Sequence, residues 1–109
     1  MPAAGLNASI DSMAKWEIAL WSGKIITPAS LAKMSQPFQL RDGASGAFGL
    51  VLVAGRQSGR ATVSSGGGAA VWITTIPDTG LTAIVLTNLQ ASSPQALAAK
   101  ILDSYLRKN

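Results

Sequence analysis

Between Phe48 and Leu89 the chain alternates short β-prone runs with turn residues, and this pattern constrains the fold more than any other feature. Phe48 to Gly55, Ala61 to Ser65, Ala70 to Ile76 and Leu81 to Leu89 are rich in Val, Ile, Leu and Thr, the residues that pack well on a pleated surface. Their connections are short. Arg56-Gln57-Ser58-Gly59-Arg60 reads as a hairpin loop, and Pro77-Asp78-Thr79-Gly80 as a turn with Pro early and Gly at its end. Parallel strands need a crossover of a dozen or more residues, and no link here is long enough to supply one. The natural pairing is therefore an antiparallel meander of four strands.

The flanks change period. Ile10, Met13, Ala14, Ala19, Leu20 and Trp21 recur at helical spacing. Asn7 or Ser9 can offer the capping oxygen, Asp11 suits the first turn, and Ser22-Gly23 supplies the stop. A second helix starts at Thr27-Pro28, a capping hydroxyl followed by a residue pre-set for the first helical position. Leu31 and Met34 should face the core, and Pro37 should end the helix. Ser92-Ser93-Pro94 opens a last helix, with Ala96, Leu97, Ile101 and Leu102 as its apolar face and Tyr105 and Leu106 continuing it. Helix, helix, four strands, helix is an α+β order, with helices covering an antiparallel sheet. The expectation is one domain over residues 1–109.

Composition excludes several kinds of chemistry. The chain has no histidine and no cysteine, which removes a Ser-His-Asp triad, a Cys-His pair and nearly every catalytic zinc site. Any general base must be Lys, Tyr, Asp, Glu or a borrowed group. No cofactor or metal is expected. The net charge is +4, but Lys15, Lys24, Lys33, Arg41, Arg56, Arg60, Lys100, Arg107 and Lys108 are scattered and not interleaved with aromatics, so nucleic acid is not an expected partner. No apolar run approaches the roughly 20 residues of a membrane helix. Met1-Pro2-Ala3-Ala4-Gly5 lacks the basic and apolar regions of a signal peptide, and localisation is left open.

Five local phrases, in order, carry a resemblance that spans nearly all of the chain. Gly5 to Trp16 resembles a "GGL-x-ST-A-x-D-MAKW" helix start, and Gly23 to Leu31 resembles "GKLLSPESL". Phe48-Gly49-Leu50 is similar to "YGLG", with Val51 replacing the second glycine. Ser65 to Gly68 is similar to "HSGGxPG", and Pro77 to Asn88 to "PDDGLTVIVLTN". These belong to the C-terminal part of serine β-lactamase-like hydrolases, the superfamily of penicillin-binding proteins and related esterases. The resemblance implies acyl transfer by a serine. That chemistry uses an S-x-x-K pair, a Tyr-bearing motif such as Y-x-N, and a K-T-G or H-x-G strand that lines the pocket and places a backbone N–H at the oxyanion. The first two elements lie upstream of the matched stretch. The third has Ser64-Ser65-Gly66 as its counterpart, with Ser64 where the family has Lys or His. A hydroxyl donates a hydrogen bond but brings no positive charge for a substrate carboxylate.

The candidate catalytic residues are therefore Ser64, Ser65 and Ser12 as nucleophiles and Lys15 as base. Gly66 and Gly67 are the candidate substrate-binding residues. Ser12-Met13-Ala14-Lys15 and Ser30-Leu31-Ala32-Lys33 are literal S-x-x-K strings whose ends share a helix face, although neither aligns with the family's nucleophile helix. Trp16 and Met13 could desolvate Lys15 and lower its pKa. Trp16, Trp21 and Trp72 read as core or interface residues. Tyr105 cannot form Y-x-N, because Arg107 stands where Asn should be, and Asp11 and Glu17 are too far apart in helical phase to act as a carboxylate pair. Two functions follow. One is a truncated serine hydrolase that cleaves small esters. The other is a non-catalytic half-fold that self-associates, by strand or helix exchange, or completes a partner chain. An open sheet edge and uncovered apolar surface make a homo-oligomer the expected state.

Overall fold

The computed structural model describes residues 7–46, 49–50, 52–67, 70–89 and 92–108. Ser9 begins the first helix, α1 (Ile10–Trp21), by accepting a hydrogen bond from the Ser12 N–H, which satisfies one otherwise unpaired donor. The helix stops where Gly23 takes φ +82°, a left-handed conformation that a side chain would resist. Thr27 caps α2 (Pro28–Ser35) in the same way, through Ser30. Gln36, the residue before Pro37, is already extended with ψ 121°. Then come β1 (Val53–Gln57), β2 (Arg60–Gly67), β3 (Val71–Ile76), β4 (Leu81–Leu86) and the final helix α3 (Pro94–Lys108).

The sheet is the expected meander, β1-β2-β3-β4, with every pairing antiparallel. The β1–β2 hairpin is tighter than the sequence suggests. Gln57 pairs with Arg60, so only Ser58 and Gly59 form the turn, at φ +51° and +78°. Positive φ at both positions matches the right-handed twist of the flanking strands. At the other end of the meander, Pro77 follows Ile76, whose carbonyl accepts hydrogen bonds from Thr79 and Gly80 at 3.1 and 3.0 Å.

Two strands are shorter than expected. Leu50 does not extend β1. Its N–H donates to the Met34 carbonyl at the end of α2, so the chain closes off that helix before it enters the sheet. Phe48 and Val51 lie outside the described residues. β4 ends at Leu86, and just beyond it the Thr87 N–H and hydroxyl both donate to the Ala70 carbonyl, at 2.9 and 3.0 Å, in the same β3–β4 register.

Helices cover both faces of the sheet. On one face Ile76, Ala83 and Val85 form a core with Ala98 and Leu102 of α3, flanked by Trp72, Leu81, Ile101 and Leu106. On the other, Leu20 of α1, Leu31 of α2 and Leu52 form a second core, with Trp21, Ile26, Met34 and Val63 packed against it. β3 is enclosed by both, and Ile73, Thr74, Thr75 and Ile76 are all buried. The β1–β2 turn is tied to α3 by side chains. Gln57 Nε2 donates to the Ala99 carbonyl and to Asp103 Oδ1, and the Ser58 hydroxyl donates to the same Oδ1 at 2.7 Å. These bonds, from Gln57 first and then Ser58, hold the Asp103 carboxyl below its ordinary pKa.

The apolar face of α3 keeps Ile101, Leu102 and Leu106 of the one read in the sequence, but takes Ala98 in place of Ala96, Leu97 and Tyr105. Two apolar rows at i, i+4 spacing compete along this helix: 97–101–105 and 94–98–102–106. The core takes the second. Ala98 and Leu102 are fully buried, whereas Leu97 is 49% and Tyr105 56% exposed, and Ala96 is exposed. The small Ala98 lets the helix lie against β3 and β4, so the row with less bulk makes the contact. Trp16 is also 49% exposed and belongs to neither core. The two rows respond differently to truncation. Leu102→Ala should cost about 2–5 kcal/mol in urea unfolding, through lost burial and a cavity. Leu97→Ala should stay within about 0.5 kcal/mol. Equal losses would contradict this division of the helix.

Candidate functional site

The glycine-rich end of β2 holds the residues that the family resemblance singles out, and strand alternation splits them between two faces. Ser64 faces α3. It is buried, and its hydroxyl donates to Thr74 Oγ1 at 2.7 Å across the β2–β3 ladder. Ser65 faces the other way and is half-buried beside Glu17, Leu20, Trp21 and Ile73. Gly66 returns to the face of Ser64, where Trp72 is its ladder partner. A Cβ at Gly66 would lie 2.5 Å from a carbon of the Trp72 ring, so the indole occupies the space a side chain would need. At Gly67 a Cβ would meet nothing within 4 Å, leaving that backbone open to approach. Ser64, Trp72 and Thr74 line a cleft of about 430 Å³ that α3 leaves uncovered over β1 and β2.

The two S-x-x-K strings lie elsewhere. Ser12 and Lys15 are exposed on α1, and the Ser12 hydroxyl accepts a hydrogen bond from Ser9 at 3.1 Å within the helix cap. Ser30 plays the same part at Thr27, and Lys33 is exposed. The sheet separates Ser12 and Lys15 from Ser64, because α1 and Ser64 are on opposite faces. Among the described residues the structure thus brings Ser65 to the inner face of α1, and keeps Ser12 and Lys15 apart from both β2 serines. No group of His, Cys, Asp or Glu side chains among the described residues is arranged to hold a metal ion.

Glu17 is the residue that reading the sequence passed over. It projects from the buried face of α1 and is only 8% exposed. Its Oε2 accepts from Trp21 Nε1 at 3.1 Å, one helical turn on, and from Thr75 Oγ1 at 3.4 Å. Thr75 Oγ1 in turn lies 2.7 Å from Thr82 Oγ1. Burial raises the pKa of Glu17, and the two hydrogen bonds only partly oppose it. A cleft of about 370 Å³ opens beside this carboxyl, between α1 and the β3–β4 hairpin. The Glu17–Trp21 spacing of four was visible in the sequence. The partnership with Thr75, 58 residues away, was not.

Glu17 makes stability depend on pH. The folded chain holds the Glu17 proton to higher pH than the unfolded chain does. The stabilisation from that proton is complete below the ordinary value of 4.5 and is lost as pH rises through the raised folded value. Between those values Glu17→Gln should gain stability relative to the parent. Urea midpoints measured across the range check this, and parallel profiles for parent and variant would contradict it.

Among the described residues no helix is long and apolar enough to cross a membrane. Searches of curated proteins and of solved structures gave no match to the chain. A family model did match, and it runs through α1, α2, all four strands and most of α3. That model describes the beta-lactamase family and aligns with residues 1–106, and the chain belongs to this family.

Proposed function

We propose that this chain is the cleft-wall half of a β-lactamase-type serine hydrolase, without turnover alone, which completes a nucleophile-bearing partner acting on esters. One observation carries this reading: the Ser64 hydroxyl is buried and donates its proton to Thr74. A serine nucleophile needs a base within hydrogen-bond reach of that proton. Here a neutral threonine holds it, and the nearest S-x-x-K lysine is on the far side of the sheet. Ser64 also stands where the family carries a cation, so the wall suits neutral esters better than anionic lactams. What remains useful on this wall is backbone: the N–H groups around Gly66 and Gly67 are the oxyanion donors in this reading.

A second reading keeps catalysis within the chain and rests on Ser65. Ser65 is on the sheet face that meets α1 and shares a small cleft with Glu17. In that reading Glu17 takes the Ser65 hydroxyl proton as its oxygen attacks the ester carbonyl, and the backbone near Gly66 steadies the oxyanion. The alcohol leaves with that proton, and water then hydrolyses the acyl-Ser65 ester to release the acid. Purified protein assayed with p-nitrophenyl acetate separates the two. The expected result is no rate above buffer for the parent and for Ser12→Ala, Ser64→Ala and Ser65→Ala. A parent rate that disappears only in Ser65→Ala would establish the second reading and end the first.

The half-fold reading also concerns assembly. β4 is an edge strand whose residues, Leu81–Leu86, carry no charge, and uncharged edges readily pair with another chain. On α1, Ile10 and Trp16 expose 48% and 49% of their surface. We propose that a second copy covers these features, by edge pairing or by exchange of a strand or helix. Sedimentation at micromolar concentration should give a mass above that of one chain. A single-chain mass would remove the self-association.

A further inference from the structure

We propose that the cleft beside Glu17 is a binding site for a small organic ammonium, a cationic head on a compact apolar body. The inference is independent of ester chemistry and of the β2 serines. It starts from the direction of the hydrogen bonds. The single Thr75 hydroxyl proton points to Glu17 Oε2. When Thr75 donates to Glu17, its 2.7 Å contact with Thr82, in which either hydroxyl can donate, is donated by Thr82. The Trp21 N–H is also spent on Oε2. Every polar side-chain proton in this group is therefore directed inward along the chain Thr82, Thr75, Glu17.

What is left to face the cleft is acceptors. Both hydrogen bonds of Glu17 fall on Oε2. Among the described residues no fully buried side-chain oxygen lacks a partner, so Oε1 retains access to solvent, and Glu17 lines the cleft. Thr82 Oγ1, having given up its proton, offers its remaining lone pairs there. An ammonium carries three donors and no acceptor, which is the complement of this wall. The charge also fits. No Lys or Arg lines the cleft, and a half-desolvated carboxylate without a cation is a costly arrangement that a bound cation relieves. The rest of the wall is apolar, through Ile18, Pro77 and Ile84, with the Trp21 ring placed for cation–π attraction. At about 370 Å³ the cleft suits a ligand of one ring or a short alkyl chain.

Glu17 is the titratable group of the cleft. On the packed elements, Asp11 and Lys15 of α1 and Asp78 of the β3–β4 turn are exposed and outside its walls. The ammonium should therefore bind more tightly as pH rises and Glu17 ionises, until the amine itself loses its proton.

The experiment titrates benzylamine hydrochloride and its neutral counterpart, benzyl alcohol, into the protein at neutral pH. The Nε1–H resonance of Trp21, assigned with Trp21→Phe, is followed. Benzylammonium should shift it saturably, benzyl alcohol should not, and Glu17→Gln should weaken the ammonium by about tenfold or more, the scale of a charge-assisted pair in a partly dry site. Thr82→Val, which keeps the shape and removes the second acceptor, should weaken it severalfold, with circular dichroism confirming that both variants fold. Equal binding of amine and alcohol, unchanged affinity in folded Glu17→Gln, or no saturable shift in the parent would each overturn the proposal.

Discussion

The central strand β3 is buried on both faces and yet carries Thr74 and Thr75, and much of the molecule's chemistry follows from satisfying those two hydroxyls. A buried hydroxyl without a partner costs on the order of 1–3 kcal/mol, so each must find one. Thr74 faces α3 and accepts the proton of Ser64. Thr75 faces α1 and joins Thr82 to Glu17. The same alternation that places Ile73 and Ile76 in opposite layers thus decides the state of two functional candidates. Ser64 becomes a structural donor, and Glu17 becomes the end of a polarised chain. Neither role is a property of the residue alone; both come from the register of β2, β3 and β4.

That dependence explains what could be read from sequence. Helix starts and stops are local, and Ser9, Thr27, Gly23 and Pro37 each announce themselves within a few residues. The meander is nearly as local, because its links are too short to permit anything else. Reading failed where a choice depended on distant partners. In α3 the apolar face read from sequence mixed two rows, 97–101–105 and 94–98–102–106, and only the sheet selected Ala98 over Leu97 and Tyr105. Leu50 looked like strand until its N–H was needed at the end of α2. The site was less legible still. Ser64 and Ser65 are neighbours in sequence but face different helices, and Glu17 meets Thr75 only once the whole sheet is in place.

Membership of the beta-lactamase family fixes the architecture and leaves chemistry to individual positions. The two glycines of the β2 motif illustrate the difference. Gly66 is required by the Trp72 ring, a packing demand that would hold in an inert protein. Gly67 has no such neighbour, so its missing side chain leaves backbone exposed. The motif is therefore part scaffold and part open wall. Its first position, Ser64, is turned toward α3 and bonded to Thr74. Serine fits this buried site against α3 through that one hydrogen bond. The absence of the family's cation is consistent with the local packing.

Glu17 runs against the same logic. An apolar side chain of similar volume would remove the cost of partly drying a carboxyl, and such replacements are often neutral or stabilising. The Trp21 and Thr75 hydrogen bonds reduce that cost without cancelling it, since the net effect still favours the protonated form. Stability alone therefore gives no reason for an acid at this position. The polarised hydroxyls do not need it either, because Thr75 and Thr82 could satisfy one another. An acid that opens onto a cleft and has the Trp21 and Thr75 protons both directed at one of its oxygens is better explained by what it can accept from outside than by what it contributes within.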